Sequence, residues 1–259
     1  MTDSTRFEGR SGVAVVTGGS GGIGAAIVEL LAARGSDVAF TYHRNDEAAA
    51  QVAETVTAQG RRQMHRPVDV TDPAAVAAFI NDVSTDFGGI HTVVSATGPL
   101  IPMRYVSQID PELFKEKVEV DLVGAFNLVH ASLPHLRESS GALVAVTSMA
   151  VRTYPPKDSL SAVPKGAVEA LVRAVAAEEG RFGVRANSVG PGLMAAGMYH
   201  ALVESGDFSP ELLEAGTKAI ALGRPGQAID VAEAVVFLAS DAAAYITGQA
   251  IDASGGYKL

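Results

Sequence analysis

Short apolar runs alternate along the chain with longer segments whose apolar positions recur at helical spacing. The short runs occupy positions 13–17, 37–42, 64–69, 90–96, 142–148, 184–189 and 249–252. The helical segments occupy positions 22–34, 46–58, 73–87, 111–136 (one long helix or two abutting ones), 161–182 and 229–239. Strands that are apolar throughout are typical of a parallel sheet that is covered on both faces. The pattern therefore predicts an α/β fold with a doubly wound parallel sheet.

The predicted elements follow one another without a repeat, a low-complexity tract or a linker, so we expect residues 1–259 to form a single domain. Only residues 191–218 are predicted to be irregular, and we interpret residues 193–218 as a substrate lid. The apolar side chains of this lid favour an apolar ligand; they are Met194, Met198, Tyr199, Leu202 and Phe208. Pro164 is predicted in the first turn of its helix, where a missing N–H is tolerated.

The formal net charge of −9 argues against nucleic acid or an anionic membrane as a partner, although a local dipole can still bind an anionic cofactor. The chain has no cysteine, which excludes disulfides, thiol nucleophiles and cysteine-ligated metals, and we expect no metal site. The first ten residues lack the apolar core of a signal peptide, and no apolar run is long enough to span a membrane. We therefore expect a cytoplasmic protein.

A glycine-rich segment joins the first predicted strand to the first predicted helix. Glycine permits a tight turn and a close approach of the backbone to a pyrophosphate, and the start of the next helix presents free N–H groups. The alternative is a merely flexible turn, but the position between a strand and a helix favours a dinucleotide site of the Rossmann type. The predicted phosphate contacts are Gly18, Ser20, Gly22, Ile23 and Gly24.

Several segments together resemble the short-chain dehydrogenase/reductase family over nearly the whole chain. They are the glycine pattern of residues 17–24 and residues 68–72, 187–192, 222–226 and 245–249, of which the last two look most like the bacterial β-ketoacyl-carrier-protein reductase branch. The resemblance implies a nicotinamide nucleotide that is contacted by Asp69, Val70, Ala96, Thr97, Gly98, Lys165, Pro191, Gly192 and Leu193. It also implies a homodimer or homotetramer that assembles through the helices predicted over 111–136 and 161–182.

The end of the second predicted strand bears on the choice of cofactor. An acidic side chain there would bind the ribose 2′-hydroxyl of NAD(H) and repel a 2′-phosphate. Tyr42 occupies that place, and His43 and Arg44 follow it. Because no carboxylate is present and a guanidinium can bind a phosphate through two hydrogen bonds, we predict NADP(H). The alternative is that Arg44 is only a solvated turn residue.

The resemblance also implies which residues act on the substrate. In the family a Tyr protonates the carbonyl, a Lys four residues later lowers the pKa of that Tyr and holds the ribose, a Ser orients the carbonyl, and an Asn completes the set. Ser148 and Lys165 match the Ser and the Lys. Ser161 lies 13 residues after Ser148, at the family's spacing for the Tyr, and so replaces it. Asp121 stands in place of the Asn.

The replacement of the Tyr leaves the proton donor open, because a serine hydroxyl is a much weaker acid than a phenol. Tyr154 is one candidate, on a loop expected to cover the substrate, although it could instead only line the pocket. Asp121 is another candidate if burial raises its pKa, but it could instead form an ion pair that fixes Lys165. The 2,4-dienoyl-CoA reductases also carry Ser in place of this Tyr, but their earlier Tyr aligns with Ala150 here.

Three hypotheses follow. The first is an NADP(H)-dependent oxidoreductase that reduces a carbonyl or a conjugated enoyl thioester or ketone, with Ser148 and Ser161 binding the oxygen. The second is a nucleotide-binding subunit without activity, because polar positions of the family's site are lost. The third is a lyase, isomerase or cyclase that uses the pocket without hydride transfer. We expect the substrate to be a small molecule or an acyl thioester.

Overall fold

The computed structural model describes residues 5–197, 203–204 and 209–258. Its strands are β1 (Val13–Thr17), β2 (Val38–Tyr42), β3 (Gln63–Pro67), β4 (Ile90–Ser95), β5 (Ala142–Val146), β6 (Arg185–Pro191) and β7 (Ala250–Ala253). They form one sheet in the order β3-β2-β1-β4-β5-β6-β7, and every neighbouring pair is parallel. The predicted doubly wound parallel sheet is confirmed.

Helices cover both faces of this sheet. The α-helices of the described residues are α1 (Gly22–Ala33), α2 (Asp46–Ala58), α3 (Pro73–Phe87), α4 (Pro111–Val118), α5 (Gly124–Ser139), α6 (Ala150–Thr153), α7 (Ser159–Glu179), α8 (Pro210–Lys218) and α9 (Ala228–Ala239). One face carries α1, α2 and α9, and the other carries α3, α5 and α7. Every connection between neighbouring parallel strands therefore crosses a face of the sheet, as the doubly wound topology requires.

Strand β1 shows how the sequence pattern produces the two cores. Ala14 and Val16 pack into the core under α1, whereas Val13 and Val15 pack into the core under α3 and α5. Successive side chains of a strand point to opposite faces, so a strand that is covered on both sides has to be apolar at every position. This requirement explains why central strands such as β1 and β5 could be predicted from unbroken apolar runs, whereas the edge strands β3 and β7 are partly exposed and carry polar residues.

Some predicted boundaries were wrong. Strand β3 ends at Pro67 and not at Asp69, because its partner β2 ends at Tyr42: the Val68 amide donates to the Tyr42 carbonyl at 2.9 Å, and no β2 residue lies beyond it. Helix α7 begins at Ser159, so Pro164 lies inside the helix and not in its first turn. The region that was predicted to be irregular contains the helix α8, which begins at the capping residue Ser209 and Pro210.

The predicted substrate lid is only partly described. Met194 is buried and forms an isolated parallel β-bridge with Gly226. The other four side chains on which the prediction of an apolar ligand rests lie outside the described residues; they are Met198, Tyr199, Leu202 and Phe208. Within the described ranges, no helix has the length and apolar character needed to cross a membrane.

His91, in β4, is a buried side chain that couples stability to pH. Its ring stacks on Phe7 and lies within hydrogen-bonding distance of the Ser36 and Thr92 hydroxyls. Burial, with a smaller effect of the Arg10 charge, lowers the pKa of the His91 imidazole to about 3. Because the unfolded chain has a histidine pKa of about 6.5, the stabilising contribution of the neutral ring is complete above that pH and is lost as the pH falls.

We expect the wild-type protein to lose about 2 kcal/mol of stability relative to His91→Gln between about pH 7 and about pH 5, since one pKa unit corresponds to about 1.4 kcal/mol. Urea unfolding of both proteins at each pH measures this difference, so that the titration of other groups cancels. His130→Gln, at an exposed ring, is the control. A difference between the wild type and His91→Gln that stays constant with pH would contradict the assignment.

Candidate active site

The candidate site lies at the carboxyl edge of the sheet, where β1 and β4 are neighbours although they are not consecutive along the chain. The chain leaves β1 for α1 on one face and leaves β4 for α4 and α5, of which α5 packs on the opposite face. A crevice opens between two loops that diverge in this way, and ligands of doubly wound sheets bind in it.

The loop between β1 and α1 has room only for glycine at several positions. Gly18 has a φ of +73°, in the left-handed region that favours glycine. A Cβ on Gly24 would lie 2.1 Å from the Gly18 carbonyl oxygen, and a Cβ on Gly22 would lie 2.6 Å from the Gly197 nitrogen. The second contact shows that the segment after β6 crosses close to this loop, so the two walls of the crevice meet at Gly22.

Helix α1 starts without a cap. Its N-cap is Gly21, and its first turn carries no acidic side chain, whereas α2, α3 and α4 are capped by Asn45, Asp72 and Asp110. The first N–H groups of α1 have no intrahelical partner, and no side chain of the helix offsets its dipole. This helix start fits the pyrophosphate of a dinucleotide. The predicted phosphate contacts surround it; they are Gly18, Ser20, Gly22, Ile23 and Gly24.

The residues predicted to contact the adenosine half lie at the ends of adjacent strands. Exposed His43 and Arg44 follow β2, and Asp69 and Val70 follow β3, which pairs with β2. The Asp69 carboxylate accepts hydrogen bonds from the Thr71 amide at 2.9 Å and the Thr71 hydroxyl at 2.7 Å. These bonds lower the pKa of Asp69 and fix its orientation. The structure thus brings these predicted contacts to one corner of the carboxyl edge.

The residues predicted to contact the nicotinamide half follow β4 and end β6. Ala96, Thr97 and Gly98 continue β4, and the Ala96 amide donates to the Thr17 carbonyl at 3.3 Å. Pro191 ends β6, and the Gly192 amide donates to the Ala253 carbonyl at 3.0 Å, with Leu193 next in the chain. No group of three potential metal ligands occurs among the residues that the structure describes.

Lys165 links the helix α7 to this edge. Its Nζ donates to the Thr97 carbonyl at 3.0 Å and lies 2.8 Å from Asp121 Oδ1. Both side chains are enclosed, with 12% of the Lys165 side chain and 1% of the Asp121 side chain exposed. Asp121 belongs to a π-helical turn, Glu119–Val123, which separates α4 from α5. The segment predicted as one helix or two is therefore two helices joined by a π turn, a feature that often marks functional sites.

The contact between Lys165 and Asp121 is an ion pair but not a well-directed hydrogen bond. Neither carboxylate oxygen of Asp121 accepts a hydrogen bond from any described residue, and the buried Thr97 hydroxyl also lacks a partner. Buried polar atoms without partners are costly, so native proteins satisfy them with water or a ligand. The Lys165 ammonium, with unsatisfied polar atoms on both of its partners Asp121 and Thr97, fits the hydroxyl groups of a nicotinamide ribose, which can both donate and accept.

The other predicted catalytic residues lie on the segment that runs from the end of β5 into the first turns of α7. Ser148 follows β5, and its Oγ accepts a hydrogen bond from the Ala150 amide at 3.1 Å. Ser161 is half-buried and lies one turn before Lys165 on the same side of α7. Tyr154 is 72% exposed and adopts a φ of +43° at the end of α6. Positive φ is uncommon for a bulky side chain, so the loop after α6 holds Tyr154 in an unfavourable backbone conformation.

Sequence reasoning missed a charged cluster that fixes the loop after β5. Arg152 donates to both oxygens of Glu169 at 2.8 and 2.9 Å, and to Asp252 Oδ2 at 2.8 Å. The Thr147 hydroxyl donates to Glu169 at 3.0 Å. The carboxylates of Asp252 and then Glu169 raise the pKa of Arg152. The cluster ties α6 to α7 and β7, and no spacing pattern indicated it because Arg152 and Asp252 are 100 residues apart.

Comparison with known proteins agrees with this geometry. The family described as "Enoyl-(Acyl carrier protein) reductase" matches residues 18–258. L-fucose dehydrogenase of Mus musculus is 34% identical over 259 residues, which cover 100% of this chain and 92% of that protein. A 3-oxoacyl-[acyl-carrier-protein] reductase of Staphylococcus aureus is 34% identical over 247 residues, which cover 95% of this chain and 98% of that protein.

Solved structures show the same fold at the same length. A short-chain type dehydrogenase/reductase from Mycobacterium ulcerans superposes with a TM-score of 0.90 at 29% identity, covering 98% of this chain and 91% of that one. A short chain dehydrogenase from Burkholderia cenocepacia, in complex with NADP, superposes with a TM-score of 0.89 at 30% identity, covering 98% of this chain and 100% of that one. The glycine loop, the parallel sheet and the full-length similarity lead to one conclusion: the chain belongs to the short-chain dehydrogenase/reductase family of oxidoreductases.

Proposed function

We propose that the protein is an NADP(H)-dependent oxidoreductase that reduces the carbonyl of a small molecule or acyl thioester, or a conjugated enoyl thioester or ketone. The observation that carries this proposal is the enclosed Lys165 ammonium, held between Asp121 and the Thr97 carbonyl at the nucleotide-binding edge. An enclosed cation at this place, with unsatisfied polar atoms around it, suits a ribose. The similar 3-oxoacyl-[acyl-carrier-protein] reductase and the neighbour in complex with NADP support the same class of reaction.

The roles of the residues follow from their positions. The bound cofactor would supply a hydride. The first N–H groups of α1 would hold its pyrophosphate, Lys165 would hold its nicotinamide ribose, and Asp69 would bind near its adenine. The hydroxyls of Ser148 and Ser161 would donate hydrogen bonds to the substrate oxygen, on which negative charge develops during reduction.

Asp121 changes the role that we assign to Lys165. A carboxylate 2.8 Å from the ammonium offsets much of its positive charge, so Lys165 acts less strongly on the pKa of any third group. We therefore propose that Asp121 fixes Lys165 and that Lys165 mainly holds the cofactor. Tyr154, or a water bound to Lys165, would be the proton donor; the alternative is that Tyr154 would only line the pocket.

Steady-state turnover tests this proposal. We expect NADPH to be oxidised in the presence of acetoacetyl-CoA or crotonyl-CoA, and Lys165→Ala to lower kcat/KM at least about 100-fold through loss of cofactor positioning. Lys115→Ala, at an exposed lysine in α4, is the control. Tight NADPH binding without turnover of any ketone or enoyl thioester would favour a nucleotide-binding subunit without activity. The observation that supports this alternative is the pairing of the Lys165 charge with Asp121.

The choice of NADP(H) is a separate prediction. Arg44 is exposed directly after β2, so it is free to approach a 2′-phosphate. We expect Arg44→Ala to weaken NADPH binding about tenfold or more, equivalent to one charge-assisted hydrogen-bonded contact, while NADH binding stays within about twofold. Fluorescence titration with both nucleotides measures this. Arg62→Ala, at a guanidinium that stacks on Phe87, is the control. Equal affinity of the wild type for the two nucleotides would refute the choice.

Three further proposals concern the whole protein. The segment 193–218 would act as a lid, supported by the approach of Gly197 to the glycine loop. Exposed apolar side chains on α5 and α7, Phe126 and Val163, support a homodimer or homotetramer that assembles through these helices. The cysteine-free composition and the cofactor support a cytoplasmic location.

A further inference from the structure

The N-cap of α7 differs from the other α-helix N-caps in the described chain that are Asn, Asp or Ser. Asn45, Asp72, Asp110 and Ser209 each accept a hydrogen bond from a backbone N–H of the helix that they begin. Asp158 occupies the same place before α7, but its side chain makes no capping bond. A capping bond and the helix dipole would both stabilise a carboxylate there. Asp158 therefore lacks the capping bond that normally explains an aspartate at this position.

Asp158 is also placed beside the residue that replaces the family's Tyr. Its carbonyl accepts the Ser161 amide at 3.1 Å, so the two residues occupy successive turns at the start of α7. Asp158, Ser161 and Lys165 are spaced by three and four positions and lie along one side of the helix. The buried Ser159 hydroxyl, next in the chain, has no hydrogen-bond partner among the described residues. The start of α7 thus carries two polar side chains beside Ser161, one without a capping bond and one without any hydrogen-bond partner among the described residues.

The surroundings of Asp158 favour its protonated form. The residue is only partly exposed, and burial raises the pKa of its carboxyl to about 7. The cations of adjoining segments have other partners: Lys157 lies over the Tyr105 ring, Lys165 pairs with Asp121, and Arg152 pairs with Glu169 and Asp252. A carboxyl group that is partly protonated near neutral pH is suited to act as a general acid.

We propose that Asp158 is the proton source of the reduction and acts through the Ser161 hydroxyl. This inference rests on the proposed oxidoreductase function. As the C=O π bond of the substrate breaks, its carbon takes up the hydride and its oxygen takes the proton of Ser161 Oγ–H. The Ser161 oxygen takes the proton of the Asp158 carboxyl in the same step. Asp158 is left as a carboxylate and regains a proton from water, while the cofactor is oxidised and the substrate is reduced.

This arrangement resolves the difficulty that the serine presents. A serine hydroxyl is too weak an acid to be left as an alkoxide after protonating the substrate. As a relay it is never left ionised, because it receives a proton as it gives one. The pair of Asp158 and Ser161 would then perform together what a single phenol performs in the family.

The test is the pH dependence of kcat with NADPH and acetoacetyl-CoA for the wild type, Asp158→Asn, Ser161→Ala and Tyr154→Phe. We expect the wild-type kcat to fall about tenfold per pH unit above about pH 7, because the acid form of Asp158 is required. Asp158→Asn and Ser161→Ala should each lower kcat about 100-fold, leave KM within about threefold, and abolish that decline. Asp110→Asn makes the same substitution at the capped start of α4 and should leave the profile unchanged.

The outcomes separate this inference from the function on which it rests. Absence of wild-type turnover with every ketone and enoyl thioester offered would defeat the oxidoreductase function and the proton source with it. Turnover with an unchanged pH profile in Asp158→Asn would refute the role of Asp158 as the proton source and leave the oxidoreductase function standing. A raised KM at unchanged kcat in this variant would do the same. If Tyr154→Phe instead abolishes the decline, Tyr154 is the donor and the proposal is wrong.

A second readout does not depend on turnover. Carbon-13 NMR of the aspartate carboxyls, without cofactor, should show one resonance that titrates with a midpoint of about pH 7 and that is absent from Asp158→Asn. If Asp158→Asn does not fold, Asp158→Glu replaces it. Glutamate-labelled Asp158→Glu should then show a carboxyl resonance with a midpoint in this range that the glutamate-labelled wild type lacks. A midpoint below about pH 5 would overturn the proposal, because Asp158 would then be fully ionised at neutral pH.

Discussion

Lys165→Met is expected to destabilise the protein by about 3–5 kcal/mol, because it leaves a buried carboxylate without its cation. The Asp121 side chain is 1% exposed, and neither of its oxygens accepts a hydrogen bond from a described residue that could replace the ammonium. Urea unfolding, monitored by circular dichroism in the absence of nucleotide, gives the free energy of unfolding. The same variant should also lose NADPH oxidation, since the ribose contact is removed.

Two controls test the cause of this loss of stability. The double variant Asp121→Leu/Lys165→Met removes both charges and should regain most of the lost stability, since replacing a buried ion pair by apolar residues is often neutral or stabilising. Lys218→Met breaks an exposed ion pair with Glu214 and should cost less than about 1 kcal/mol. Equal destabilisation in the single and double variants would show that the ion pair is not the reason.

Gly24→Ala is expected to abolish useful nucleotide binding. The added Cβ would lie 2.1 Å from the Gly18 carbonyl oxygen. Gly18 belongs to the backbone of the loop and Gly24 to that of the helix, so neither can move aside as a flexible side chain would. The start of α1 has to move away from the loop by about an ångström or more, and the first N–H groups no longer converge on the pyrophosphate. Loss of two charge-assisted hydrogen bonds corresponds to at least about 100-fold in affinity for NADPH. Fluorescence titration at a temperature where the variant remains folded measures it.

Gly180→Ala is the matched control for this substitution. Gly180 has a φ of −55°, and an added Cβ there would meet nothing within 4 Å. Alanine is therefore compatible with the backbone and with the space, and both the affinity for NADPH and the free energy of unfolding should remain close to the wild-type values. If Gly24→Ala binds NADPH as the wild type does, the glycine loop does not hold the nucleotide in the way proposed here.

The sheet and the glycine loop were predictable because local sequence determines them. Strands buried on both faces must be apolar throughout, so β1 is visible as the run that ends at Thr17. Gly18 and Gly24 are required by the backbone itself, one by its positive φ and the other by a close approach of two backbone segments. Such constraints act within a few residues, so they can be recognised from the amino-acid sequence.

The features that depend on tertiary contacts were not predictable in the same way. The π turn at Asp121 and the start of α7 at Ser159 follow from how these helices pack, and propensity alone would not place them. The sequence raised the ion pair of Asp121 with Lys165 only as an alternative, since the two residues are far apart along the chain. Asp158 was missed because its significance lies in a capping bond that it does not make, which only the structure can show.

Transfer of deuterium from the cofactor to the product tests the central claim most directly. The protein would be incubated with NADPH deuterated at the transferable position of the nicotinamide, together with acetoacetyl-CoA or crotonyl-CoA, and the products analysed by mass spectrometry. The account predicts a product of at least one of these substrates that carries one deuterium, and none with Lys165→Met. Bound NADPH with no deuterium in either product would contradict the claim that this site reduces a carbonyl or an enoyl thioester.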